Sequence, residues 1–277
     1  MLFRSDYRDA WVDCPYNFYP TPFHKKYNEK LENRILKYSS AIVTINREIK
    51  EIIFNRYKEM SGEKIQIISQ GYDNEDFINT GEKEKPAGKF RITYSGSFFN
   101  FMTPEYFLKG LRKAIDLKPE IEERIEAMFL GLFPPEYEEL IKKLKLEKVV
   151  TLKGYLNHGD CISYIKSSDA LWFMIGESKW SYMISTGKLF EYIGSGKPIL
   201  ACVPDGSAKN LLRQYGNSLI CSPGDINLIS ENIIRLYEIY ESKNPLKYDE
   251  SFREKFERRK LTSELAGLFN KILSLPG

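Results

Sequence analysis

Ser185, Thr186, Gly187, Lys188 and Glu191 fall within one seven-residue stretch and combine small hydrogen-bonding residues, an amine and a carboxylate. Small residues ahead of an apolar, turn-spaced run predict a helix start. Its unsatisfied N–H groups and positive dipole end attract an anion. Lys188 adds a compact positive charge suited to a diphosphate, against the competing reading of a solvent-facing helix lysine. Glu191 lies just over one turn further on, where an acceptor meets a ribose hydroxyl. Gly194 and Gly196 end the helix, and Lys197-Pro198 leads into an apolar strand over 199–203. The pattern therefore predicts a nucleoside diphosphate laid along a helix start. A second candidate is Ser95-Gly96-Ser97, which follows an apolar run. Backbone N–H groups there can approach a diphosphate without Cβ interference, and a ligand-free turn is the alternative.

Positioning these residues requires a regular frame. Strand patterns at 91–95, 125–131, 149–152, 170–175, 199–203 and 218–221 alternate with helix patterns. The helices fall at 104–115, 135–144, 158–167, 207–215 and 226–240, with the motif helix between 185 and 196. This alternation predicts an α/β fold, a Rossmann-like doubly wound parallel sheet with ligands at the carboxyl ends of its strands. It places one complete domain over 88–243 and a polar linker over 80–87.

Residues 1–79 contain an aromatic loop, helices near 25–37 and up to 57, and strands at 41–45 and 64–68. Two strands do not make an independently stable sheet of this class. This part is expected to be the remnant of a second Rossmann-like domain, with Leu2, Phe3, Trp11, Ile42, Val43, Ile45 and Ile67 partly uncovered. Residues 244–277 carry an amphipathic, charged helix pattern over 250–273.

Composition narrows the classes. A content of 42% hydrophobic and 29% charged residues is that of a globular chain. No apolar run approaches the ~20 residues of a membrane span. A formal charge of +3 argues against nucleic acid as a partner and leaves peripheral membrane contact at most. Weak binding to anionic vesicles is the expectation. Cys14, Cys161, Cys202 and Cys221 show no paired metal spacing, and two lie in strand patterns, so buried thiols of a cytoplasmic protein are expected. His24 and His158 are assigned surface roles.

The run Gly187-Lys188-Leu189-Phe190-Glu191-Tyr192-Ile193-Gly194-Ser195-Gly196-Lys197-Pro198 resembles the donor-site helix of GT-B glycosyltransferases, in particular retaining enzymes of family four. Asp6-Tyr7-Arg8-Asp9-Ala10-Trp11, Ser39 to Ile45 and Ile68-Ser69-Gln70-Gly71-Tyr72-Asp73 resemble the late amino-terminal domain of the same group. The resemblance implies a UDP- or GDP-linked sugar as donor substrate and a glycan or lipid-linked acceptor. It implies a catalytic site using Lys188 and Glu191, with no metal and no further cofactor. It places the donor against Ser95, Gly96, Ser97, Ser185, Thr186, Gly187, Lys188 and Glu191, and the nucleobase beside Gly154 and Tyr155. Many relatives carry two glutamates eight positions apart. The second corresponds to Glu191, whereas the first falls on Met183, which cannot accept a hydrogen bond from a sugar.

By the same resemblance the chain starts inside the first domain, and roughly 100 residues on its amino-terminal side are expected to be missing. They would be supplied by a longer frame or by a separate chain. Two other readings stay open: a non-catalytic nucleotide-binding subunit working with a separately encoded amino-terminal half, and a sugar-nucleotide epimerase of the same fold.

Overall fold

The computed structural model describes residues 4–14, 17–99, 101–246 and 248–274. The first part of the chain runs β1 (Arg4–Tyr7), α1 (Pro22–Tyr38), β2 (Ala41–Thr44), α2 (Arg47–Arg56), β3 (Ile65–Ile67) and α3 (Asn74–Asn79). The second runs β4 (Phe90–Ser95), α4 (Glu105–Leu117), β5 (Ile125–Leu130), α5 (Pro135–Lys143), β6 (Val150–Leu152), α6 (His158–Lys166) and β7 (Ala170–Met174). It continues with α7 (Gly187–Ser195), β8 (Ile199–Cys202), α8 (Ser207–Tyr215), β9 (Ser218–Cys221) and α9 (Ile226–Ser242). Two helices, α10 (Glu250–Glu254) and α11 (Arg258–Leu273), close the described chain.

Strands β4 to β9 form one parallel sheet in the order β6-β5-β4-β7-β8-β9. The predicted strands and helices of this part agree with it to within two residues. Period-two alternation divides its side chains between the faces. Phe90, Ile92 and Tyr94 of β4, Trp172 and Met174 of β7, and Leu200 and Cys202 of β8 share one core with α4 and α9. Leu171 and Phe173, with Ile199 and Ala201, pack on the opposite face with α6, α7 and α8. Phe107 stacks on Trp172 with ring centroids 4.3 Å apart. The chain winds outward from β4 to β6, then returns so that β7 lies on the other side of β4. A crevice opens where winding reverses, outside the carboxyl ends of β4 and β7. Both candidate loops lie there.

The first part differs from its sequence reading. It has three parallel strands rather than two, in the order β1-β2-β3, with Tyr7 opposite Thr44 and Thr44 opposite Ile67. Ile42, Val43 and Ile45 are buried, not uncovered. The cover comes from Ile49 and Ile53 of α2, Leu36 of α1, and Met183 of the second part, with Trp180 and Tyr182 against them. Trp11 is half-buried. Ile67 stays 43% exposed on edge strand β3, as expected. Leu2 and Phe3 lie outside the described residues.

Residues 80–87 are tied down on the second part: Lys83 pairs with Asp160 at 2.7 Å and Lys85 with Asp169 at 2.6 Å. The carboxyl-terminal helix pattern is interrupted. Between α10 and α11, Phe256 O accepts from Tyr72 N at 3.0 Å and Arg258 N donates to Tyr72 O at 2.9 Å. A Cβ on Gly71 would lie 2.2 Å from Phe256 O, and one on Gly194 would lie 2.3 Å from the Tyr72 ring. Glycine at both positions permits this close crossing of segments. Among the described residues no helix is long and apolar enough to cross a membrane. Cys202 and Cys221 are buried register partners with Sγ atoms 3.6 Å apart, and Cys14 and Cys161 are partly exposed.

Candidate functional site

Helix α7 begins without a side-chain cap. Thr186 is its N-cap residue, in extended backbone, and its hydroxyl makes no capping bond. Among the described residues the Thr186 Oγ1 is buried with no hydrogen-bond partner. A helix end with bare N–H groups and an orphaned hydroxyl is a place where an external acceptor is missing. The neighbouring Ser185 hydroxyl is instead committed, accepting from Asn46 Nδ2 at 3.1 Å.

Lys188 points back under the end of β4. Its Nζ lies 3.9 Å from the centroid of the Tyr94 ring. A Cβ on Gly96 would lie 2.3 Å from that Nζ, so the missing side chain of Gly96 is the space the amine occupies. Gly96 also holds φ +137°, a conformation few L side chains adopt. Burial pulls the Lys188 amine down to about 7, only partly opposed by the Glu191 carboxylate. An incoming anion would reverse that shift.

Glu191, one turn along α7, is partly buried. Burial raises its carboxyl above the usual range, and His158, Arg258 and Lys188 pull against the rise while Asp76 adds to it. His158 Nε2 lies 2.9 Å from Asp76 Oδ2, joining the start of α6 to α3. The carboxyl thus sits where three segments meet, on a helix whose start faces the clefts. Tyr192, on the same helix, is fully buried and its Oη accepts from Ser95 N at 2.7 Å.

That last bond corrects the reading of the β4 loop. The Ser95 amide is used by Tyr192, and the Gly96 amide donates to Leu130 O at 2.7 Å. Neither is a free donor for a diphosphate. The loop contributes space for Lys188 rather than a row of amides, and Ser97 follows it at the mouth of the crevice. Gly131 supports it from below: its own Cβ would lie 2.5 Å from Gly96 O. Gly154 adopts φ +66° at the exit of β6 and accepts from Gly131 N at 2.7 Å. Tyr155 beside it is 82% exposed.

Two clefts flank Gly187. One, of about 310 Å³, runs between Asp6, Arg8, Gln70, Gly187 and Arg258. The other, of about 230 Å³, lies between Asp9, Ile49, Gln70, Met183 and Thr186. Arg8, Asp9 and Gln70 therefore face the start of α7. Asn46 was not singled out at all. Its Oδ1 caps α2 by accepting from Ile49 N at 2.9 Å, while its Nδ2 donates to Met183 O at 2.8 Å. An asparagine just before a helix was the available signal for the cap, but nothing local signalled the second bond. Replacing Asn46 by alanine should lower stability by about 1–3 kcal/mol, through the lost cap and an unpaired buried carbonyl. Urea unfolding measures this, and an unchanged midpoint would show that the two parts are not joined here.

Comparison with models of protein families and with curated proteins gives no match. Solved structures do match. A glycosyltransferase from Rickettsia africae superposes with a TM-score of 0.72 at 18% identity, over 94% of this chain and 69% of that one. Sucrose-phosphate synthase from Thermosynechococcus elongatus gives 0.63 at 14%, over 98% and 68%. A pneumococcal O-GlcNAc transferase, solved with UDP and GlcNAc, gives 0.62 at 13%, over 99% of this chain but 53% of its own. At these identities the common property is architecture, and this chain spans between about half and two thirds of each neighbour. Two parallel-sheet parts meeting at the carboxyl ends of their strands give it the fold of the GT-B glycosyltransferases.

Proposed function

We propose that this chain carries the donor side of a glycosyltransferase, binding a UDP- or GDP-linked sugar and transferring the sugar, with retention, to a glycan or lipid-linked acceptor. The observation that carries the reading is the start of α7. There an uncapped helix start carries the orphaned Thr186 hydroxyl, with Lys188 in its first turn and Glu191 a turn further on. A pyrophosphate fits these groups, and a ribose hydroxyl fits the carboxylate. The pneumococcal neighbour holding UDP and GlcNAc in the same fold supports the same ligand class. In the reaction, charge grows on the departing diphosphate as the bond to the sugar breaks. The α7 dipole end and protonated Lys188 stabilise that charge. Because these groups already meet the leaving charge, we assign transfer without a metal, and chelation should leave donor binding unchanged.

The test is calorimetric titration of the chain with UDP, GDP and ADP. Binding by UDP or GDP is expected, and Glu191→Ala should weaken it by about 1–3 kcal/mol, the scale of a hydrogen bond to a charged group. No binding by any of the three nucleotides overturns the reading. Unchanged affinity in the variant removes Glu191 from the ribose.

A further inference from the structure

Apart from the clefts beside Gly187, the first and second parts border a cavity of about 710 Å³ that contains no residue of α7. Its walls are the starts of two helices. Asn46, Arg47 and Glu48 open α2 on one side, and Ser207, Asn210 and Gln214 belong to α8 on the other. With Leu211, which also lines the cavity, the α8 residues fall at spacings of three, four and seven, which is one face of a helix. Ile45, Leu211 and Phe256 supply its apolar surface.

Neither helix start is closed. Asn46 meets Ile49 N at 2.9 Å and Lys50 N at 3.3 Å, which leaves Arg47 N and Glu48 N without an acceptor among the described residues. Helix α8 has no side-chain cap. Only glycine fits at its N-cap, because a Cβ on Gly206 would lie 2.1 Å from Tyr182 O and its φ is +143°. The first backbone bond of α8 runs from Asn210 N to Gly206 O at 3.0 Å, so the three N–H groups ahead of it are unmet among the described residues. Ser207 is 3% exposed, yet its hydroxyl has no hydrogen-bond partner among the described residues. A buried, unpartnered hydroxyl at an uncapped helix start is what an absent acceptor leaves behind. Asp205 does not fill the place, being held by Lys209 at 2.8 Å. Arg213, also in the lining, is exposed and forms no ion pair among the described residues.

We propose that this cavity is a second ligand site, independent of the donor site, for the phosphate monoester of a sugar-sized polyol. Two positive helix ends, Arg47 and Arg213 border it, against Glu48 as the one acid in the lining. The phosphate belongs at the α8 start, where the Ser207 hydroxyl and the bare amides meet an anion. The volume far exceeds that of a phosphate ion and lies in the range of small-molecule sites. Beyond the phosphate, the lining offers both donors and acceptors: the Asn210 and Gln214 amides, the Ser69 hydroxyl and the Glu48 carboxylate. That mixture suits hydroxyl groups. A bare anion would leave Glu48 facing a like charge, and a neutral sugar would leave the helix ends unmet.

Calorimetric titration of the full chain with glucose 6-phosphate, inorganic phosphate and glucose tests the proposal. The ester should bind, phosphate should bind about tenfold more weakly or less, and glucose should not bind at the same concentrations. Arg47→Ala with Arg213→Ala should weaken the ester by about tenfold or more, the effect of losing a hydrogen bond to a charged group. Both arginines are exposed, so this variant should keep the wild-type fold and UDP titration. Ser207→Ala should weaken the ester as well. Saturating UDP should leave ester binding in place, and the ester should bind even if no nucleotide does. Absence of ester binding, equal affinity for phosphate and ester, or an affinity unchanged in the arginine variant overturns the proposal. So does displacement of the ester by UDP or its loss in Lys188→Met, either of which places it at the start of α7 instead.

Discussion

Lys188→Met is expected to reduce nucleoside-diphosphate affinity by about 1.5–3 kcal/mol, the range for a hydrogen bond to a charged group. Any transfer activity should fall by about 10²–10³, as when one electrostatic stabiliser of a leaving oxyanion is removed. The pH dependence makes the claim specific. In the free protein the amine is held at about 7 against 10.5 for an ordinary lysine, mainly by burial. A bound diphosphate favours the charged form, so binding should take up a proton. Affinity should fall by up to about tenfold per pH unit above neutrality, until the pKa of the complex is reached. For stability the sign is the opposite of that for a lysine with an acidic partner. Between about 7 and 10.5 the unfolded chain binds the proton and the folded chain does not, so folding stability rises with pH across that window. Lys188→Met should abolish both dependences and leave the ligand-free protein at least as stable at neutral pH. Titrations in buffers of different ionisation enthalpy measure the proton uptake. A wild-type affinity constant with pH, or unchanged in the variant, would remove Lys188 from the phosphate site.

The second part of the fold was legible because its strands are buried on both faces. All of β7 is buried, and a short continuous apolar run between turn residues has few other readings. The α7 motif was legible for the same kind of reason, since glycines, a carboxylate and a Lys-Pro step are local. Three features were not. Strand β1 is only four residues long, at the edge of its sheet, and merges into Arg8 and Asp9. The commitment of the Ser95 and Gly96 amides depends on Tyr192 and Leu130, both distant in sequence, so an open phosphate loop and a closed one look alike in the chain. Helix α1 inverts the usual code: a buried glutamate satisfied by Arg56 faces inward and Phe23 faces out. Periodicity reports which residues are apolar and leaves open which side is covered.

Met183 offers the sharpest contrast between resemblance and packing. Relatives with paired glutamates would place a sugar-contacting acid at this position, so Met183→Glu looks like a repair. We expect it to be damage. Met183 is 3% exposed and belongs to the cluster of Tyr7, Ala10, Ile45 and Ile49 that covers the small sheet. Its carbonyl is held by Asn46 at 2.8 Å, which fixes the backbone so that the side chain has little freedom to turn outward. Met183→Ala should therefore cost about 2–5 kcal/mol, the range for truncating a buried methionine. Met183→Glu should cost more, because a carboxyl would enter the same apolar space without a partner. The damage should be directional. Limited proteolysis should speed up within residues 4–79, which lose part of their cover, while 88–243 keeps the core its sheet shares with α4 and α9 and stays resistant. Urea unfolding and a timed digest of the three proteins would measure this. Met183 also borders the smaller cleft beside Gly187, so if Met183→Glu is as stable as the wild type and binds a nucleotide-sugar more tightly than the bare nucleotide, the carboxyl reaches that cleft and the packing argument fails. If it unfolds the first part, the apolar residue at this position is what holds the small sheet against the second part of the chain.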